Sequence, residues 1–215
     1  MKKLLILITI LGLFTGCTNI NKADIDDLIS EVQKSDSKLA NQYRTGYKYY
    51  LAANLNIKET DNFNEIILYK DYKYYMYVDI VSYYEKIDFT YEENNTSYIS
   101  KNITYKNKLG YLEVNVKNDK YLIEIMYNYA KIEVIVDEED LNEAIVNSLL
   151  ILSTIKYNND IIGKMMGDDA LNFAEEQLNI FKTNKGESNF LEYVEEYDTY
   201  DGVDVPDLDK ITRGA

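Results

Sequence analysis

The chain reads as an α+β protein with an N-terminal amphipathic helix, a six- to eight-stranded antiparallel meander sheet and C-terminal helices covering one face of that sheet. Three observations predict this. Apolar residues recur at helical spacing near the start of the chain, their period drops to two between Tyr47 and Val136, and beyond Asp137 the helical period returns over a broad stripe.

Each element has its own signal. Ile25, Leu28, Ile29, Val32 and Leu39 are separated by charged residues, which predicts an amphipathic helix over about residues 23–41. In the strand region Tyr, Ile and Val are enriched, and Asp61-Asn62, Glu93-Asn94-Asn95, Leu109-Gly110 and Asn118-Asp119 read as turns between runs. Tyr47, Tyr49, Leu51, Ala53, Leu55 and Ile57 alternate with Lys48, Tyr50, Ala52, Asn54, Asn56 and Lys58, and Leu112, Val114 and Val116 alternate with Tyr111, Glu113, Asn115 and Lys117. Such strands make a one-sided sheet, in which helices take the apolar face and the other face meets water or a partner. The Asp137-Glu138-Glu139-Asp140 cluster places negative charge at a helix start. From there Leu141, Ala144, Ile145, Ser148, Leu149, Leu152 and Ile155 predict a core helix ending at about residue 156. A further helix is expected from near Asp168, with Leu171, Ala174, Leu178 and Phe181 on one side, then a short element carrying Phe190, Val194 and Tyr197.

The first seventeen residues carry a different message. Met1, Lys2 and Lys3 precede an apolar run from Leu4 to Phe14, broken by Thr9 and Gly12, and Thr15-Gly16-Cys17 follows. This is the charged start, short apolar core and small-residue cleavage site of a secretory signal, too short to span a bilayer stably. Leu13-Phe14-Thr15-Gly16-Cys17 resembles the lipobox of bacterial lipoproteins, and the resemblance is confined to this leader. It implies cleavage between Gly16 and Cys17, diacylglycerol on the Cys17 thiol, and a protein held at a membrane surface outside the cytoplasm. That surface is the outer face of the cytoplasmic membrane, or the outer membrane where there are two. The resulting organisation is a signal peptide at 1–16, a lipidated tether at 17–22, one α+β domain at 23–200 and an acidic tail at 201–215.

Composition narrows what the domain does. The chain has one cysteine and no histidine, which excludes internal disulfides, Ser-His-Asp and Cys-His catalysis and histidine metal sites. Its net charge of −14 becomes −16 once Lys2 and Lys3 leave with the signal, so nucleic acid is an unfavourable partner and a basic protein a favourable one. Ser153-Thr154-Ile155-Lys156 has the Ser-x-x-Lys spacing of penicillin-binding enzymes, but here the serine closes a helix instead of opening one. Asp198 to Asp209 is acidic enough to suggest a calcium loop. Aligning Gly202 as its sixth position, however, puts Tyr197, Thr199 and Leu208 where oxygen ligands are required. The pairs Glu92-Glu93, Asp168-Asp169, Glu175-Glu176 and Glu195-Glu196 are sequence neighbours, which does not supply the cross-cleft spacing of a glycosidase.

Tyrosine is the remaining signal. Of 22 tyrosines, 18 lie between Tyr43 and Tyr129, and alternation turns Tyr50, Tyr75, Tyr77, Tyr84 and Tyr111 away from most aliphatics. Exposed tyrosines offer large contact area with a polar tip, which suits a protein interface. The expectation is a non-enzymatic lipoprotein, without metal or cofactor, that binds a protein through this face: an envelope assembly, a cell-wall enzyme or a toxin. The alternative comes from the order of elements, which is similar to the periplasmic lipoprotein-carrier fold and to clostridial spore-germination lipoproteins. It implies a cup for a lipid or other hydrophobic ligand.

The anchor is directly testable. Cys17→Ala is expected to abolish both fatty-acid incorporation and signal removal, because no second thiol exists. Metabolic labelling of cells expressing the variant checks this, and label retained on the variant contradicts it.

Overall fold

Alternating apolar residues bounded by short turns give two sheets here rather than one. The computed structural model describes residues 20–35 and 38–173, with side chains through Gly167. Gly16, Cys17, the stripe positions Ala174, Leu178 and Phe181, the 190–197 element and the 201–215 tail lie outside the described residues. All described residues belong to one compact unit.

After a single 3-10 turn, Ile20–Lys22, helix α1 runs Ile25–Ser35, shorter than its apolar spacing implied because residues 38–40 are already irregular. Strands β1 (Gln42–Arg44) and β2 (Tyr47–Tyr49) form an antiparallel hairpin that is joined later by β10 (Lys156–Tyr157). The chain then enters the large sheet through β3 (Asn56–Asp61), β4 (Asn64–Tyr69) and β5 (Tyr72–Val78). It crosses through a short helix α2 (Ile80–Glu85) and an irregular loop, and returns as β6 (Ile99–Tyr105), β7 (Lys108–Lys117), β8 (Lys120–Tyr127) and β9 (Ala130–Val136). The seven strands lie in the order β3-β4-β5-β9-β8-β7-β6 and are antiparallel throughout, so the sheet is two meanders joined where β5 pairs with β9. Helix α3 (Leu141–Thr154) and helix α4 (Asn159–Phe173) complete the described fold.

Turn chemistry sets the register. Asn118-Asp119 and Asn128-Tyr129 have positive φ at both central positions, the backbone of a two-residue hairpin turn whose twist matches the strands it joins. Leu109-Gly110 is not a turn but lies inside β7. A Cβ on Gly110 would fall 2.0 Å from the Met126 carbonyl oxygen, so glycine is there to let β8 approach. Helix α2, hidden within an apolar run, starts because the Asp79 carboxylate accepts hydrogen bonds from Ser82 N at 2.8 Å and Ser82 Oγ at 2.7 Å. Helix α4 begins at Asn159 rather than near Asp168, capped by the Asn158 side chain, which accepts from the Asp160 and Ile161 amides.

The core lies between one face of the large sheet and α3. Ile67, Leu112, Val114, Ile123, Ile125, Ile132 and Val134 meet Ile145, Ile151 and Leu152, all with no exposure. Helix α1 packs on α3, and the Asn142 side chain donates to the Ile20 and Ala23 carbonyls at 3.0 Å, fixing the start of the described chain beside the N-terminus of α3.

A buried carboxylate links β4 of the large sheet to the small one. Glu65 on β4 accepts from Arg44 Nε at 3.1 Å and a guanidinium terminal nitrogen at 2.7 Å, and from the Tyr47 and Tyr49 hydroxyls at 3.1 and 2.7 Å. Burial, then the Glu65 charge, pushes both phenols well above their ordinary range, so they remain donors. Glu65→Ala is expected to destabilise the protein by about 3–5 kcal/mol, since Arg44 and two phenols lose their shared acceptor. Urea unfolding measures this. A loss under about 1 kcal/mol would mean that Glu65 is not what holds the sheets together.

Candidate functional site: the second face of the large sheet

Opposite α3, the second sheet face carries polar residues at alternate positions of strongly apolar strands. Register places them in two rows. One runs Ile66, Tyr75, Glu133, Glu124, Glu113, Ser100, and the other runs Asn64, Tyr77, Lys131, Met126, Tyr111, Asn102. Three glutamates thus stand on adjacent strands, where directly opposed side chains have Cβ atoms roughly 5 Å apart.

All three are nearly inaccessible: Glu113 is 1%, Glu124 0% and Glu133 8% exposed. Lys131 Nζ lies 2.8 Å from both Glu124 Oε2 and Glu133 Oε1, so one ammonium serves two carboxylates. Burial opposes that charge, but the Tyr111 oxygen and the two carboxylates outweigh it and hold the Lys131 ammonium above the ordinary lysine range.

Glu113 is satisfied differently, by the irregular loop that follows α2. Tyr91 donates a short hydrogen bond to Glu113 Oε2, while Ser97 Oγ and Asn115 Nδ2 donate to Oε1 at 3.0 and 3.1 Å. Burial alone would raise the Glu113 carboxyl, yet these donors prevail and hold it below its ordinary range. The same loop brings an aromatic lid: the Tyr91 ring stacks on Tyr111 at 4.5 Å and 13°, and Phe89 lies 5.7 Å from it. The Asn102 side chain and the Ser100 hydroxyl tie the loop to β6 through Tyr91 O, Glu93 and Asn94 N.

The loop covers only the β6–β8 side. Toward β4 and β5, Ile66, Leu68, Tyr75 and Tyr77 are half-buried, and Ile135 on β9 continues the patch. Chemically this half offers an aromatic and aliphatic contact surface bordered by buried charge. The glutamates do not form a metal-holding cluster, and no such group occurs among the described residues.

The five tyrosines singled out from sequence therefore separate. Tyr75 and Tyr77 stand on the second face and are partly exposed. Tyr111 stands on that face but is fully buried, because the loop closes over it. Tyr84 is 43% exposed but lies on α2, beside Gly163 of α4. Tyr50 follows β2, half-buried, with its amide donating to Thr154 Oγ1 at 3.0 Å. Sequence reasoning overlooked the glutamate row. The signal was present: Glu113 and Glu124 are equidistant from the Asn118-Asp119 turn, and Glu124 and Glu133 from Asn128-Tyr129, which puts all three in register.

The latch makes a prediction about acid. With its carboxyl depressed, Glu113 stabilises the closed loop above the ordinary glutamate range, and that contribution is lost as pH falls below the range through the folded value. Hydrogen exchange of amides 88–97 is expected to accelerate on acidification after correction for intrinsic rates, and Glu113→Gln should flatten the dependence. Tyr91→Ala should accelerate exchange about tenfold or more at neutral pH, since a stacked pair and a charge-assisted bond together contribute about 2 kcal/mol. Unchanged exchange in Tyr91→Ala would show that the loop is held elsewhere.

No family model matches the chain, and neither the curated proteins nor the solved structures contain a match to it, so its functional reading rests on its own residues.

Proposed function

We propose that the chain is a membrane-anchored, extracytoplasmic lipoprotein that acts as a non-enzymatic protein-binding module, tethered through Cys17 and engaging a basic partner through the half of the second sheet face that the loop does not reach. The observation that carries this reading is the patch itself. Ile66, Leu68, Tyr75, Tyr77 and Ile135 are adjacent in register and partly exposed beside a half that the loop has closed. Tyrosines on a rigid sheet lose little conformational freedom on binding and contribute most where they are desolvated. The net charge of −14 supports a cationic partner by accelerating encounter. A lipid-carrying cup is less well supported, because the described side chains between α3 and the sheet leave no exposed apolar surface there.

Two perturbations should separate once a partner is isolated. Replacing Tyr75 and Tyr77 with Ala is expected to raise the dissociation rate, with about 1–4 kcal/mol of affinity lost. Neutralising Glu192, Glu195 and Glu196 should instead slow association and flatten its salt dependence. Surface plasmon resonance across an ionic-strength series measures both. If the tyrosine double variant is folded and binds normally, the patch is not the interface.

A further inference from the structure

We infer a second binding site, for a phosphodiester, in the cleft between the β1–β2 turn and the segment that leads from β10 into α4. The cleft is open, about 590 Å³ in volume, and its walls are fixed to each other. The Asn158 amide donates to the Gly46 carbonyl at 2.8 Å, and Gly46, at φ +90°, lies so close to Ile162 that a Cβ would meet its side chain at 2.9 Å.

Across the outer face of the small sheet, Tyr43 pairs with Lys48 and Lys48 with Lys156, so the two lysines are directly opposed on adjacent strands. Like charges in that position repel, and both lysines line the cleft. Neither lysine belongs to any ion pair among the described residues. Arg44, on the same cleft, is already committed to Glu65. The one carboxylate on the described cleft wall, Asp160, stands at the start of α4. A cation pair with no carboxylate partner among the described residues fits a bound oxyanion bridging the two ammoniums. Tyr43, 67% exposed in the same row, provides a ring for the carbon skeleton attached to the phosphate, its hydroxyl donating to the Ala40 carbonyl at 3.2 Å.

Position indicates the source of that phosphate, and this step rests on the anchored reading above. The start of the described chain is fixed to the N-terminus of α3, while β10 follows the C-terminus of that fourteen-residue helix, about 20 Å away. With a short tether from Cys17, the cleft lies at the end of α3 remote from the anchored terminus, which favours a small soluble phosphodiester over that bilayer's own headgroups.

Calorimetric titration of the purified full chain in neutral detergent at low salt, with inorganic phosphate and with glycerophosphoglycerol, tests the site. Both should bind, binding should weaken as salt rises, and Lys48→Gln/Lys156→Gln should weaken it at least tenfold while unfolding at the same temperature or higher. That last readout separates a lost site from a lost fold. Absence of binding by the native chain, or equal binding by the variant, overturns the site whether or not the chain is anchored. The source is read from the native chain in nanodiscs. Unchanged glycerophosphoglycerol binding in phosphatidylglycerol and phosphatidylcholine discs supports the cleft remote from the anchor, whereas binding lost only in phosphatidylglycerol discs overturns that placement and assigns the site to bilayer headgroups.

Discussion

A seven-stranded sheet has two faces to satisfy, and this chain lays its apolar cover, α3, on one of them. The second face has to be completed from other material. On the β6–β8 side the solution is polar: glutamates at matching positions of three strands, one lysine between two of them, and a loop whose hydroxyl donors, with Asn115 of β7, satisfy the third. Buried carboxylates without donors would be prohibitive, so the loop and the acidic row require each other. This arrangement defines what is left over. Beyond the loop, tyrosine and aliphatic side chains of the sheet stay partly accessible, and the proposed binding surface is this part of the face, which the loop does not reach.

Glu65 plays the corresponding part between the sheets. A carboxylate surrounded by a guanidinium and two phenols is directional in a way an apolar contact is not, and it specifies where the small sheet sits relative to β4. From that placement follow the opposed lysines on the outer face of the small sheet and the cleft beside them. The tyrosine stack continues the theme. Tyr157 lies 3.8 Å from Tyr83 and donates to the Asn128 and Tyr129 carbonyls, holding β10 against α2 and a hairpin turn. Much of the tyrosine content is thus spent on internal hydrogen bonds to backbone and carboxylate.

The change of period from two to helical was legible, and α3 falls within two residues of where its stripe ends. Of the inward set, Tyr47, Tyr49, Leu51 and Leu55 are buried as alternation implies, but Ala53 is exposed and Ile57 half-buried, and the run is not one strand. Asn41 takes both the amide and the carbonyl of Leu51, and Leu55 N turns back to Ala52 O, so the chain leaves one sheet for the other and the alternation lapses at the exposed Ala53 before Leu55 is buried again. Period alone does not reveal such a crossing, because it reports only which way a side chain points. Tyr111 shows the same limit: alternation gave its face correctly, but a loop some twenty residues earlier in the chain decides that it is buried. Gly110 looked like a turn because close backbone approach and positive φ draw on the same residue.

On the proposed reading, the half of the second face that the loop does not reach is occupied by a partner in the envelope. Hydroxyl-radical footprinting, on the purified chain and on cells expressing it, tests that claim residue by residue. Tyr75 and Tyr77 should be oxidised in the purified chain and protected in cells, while Tyr98, which is 53% exposed and lies outside the patch, reacts equally in both. Equal oxidation of Tyr75 and Tyr77 in the two samples, or no oxidation in either, would contradict the account.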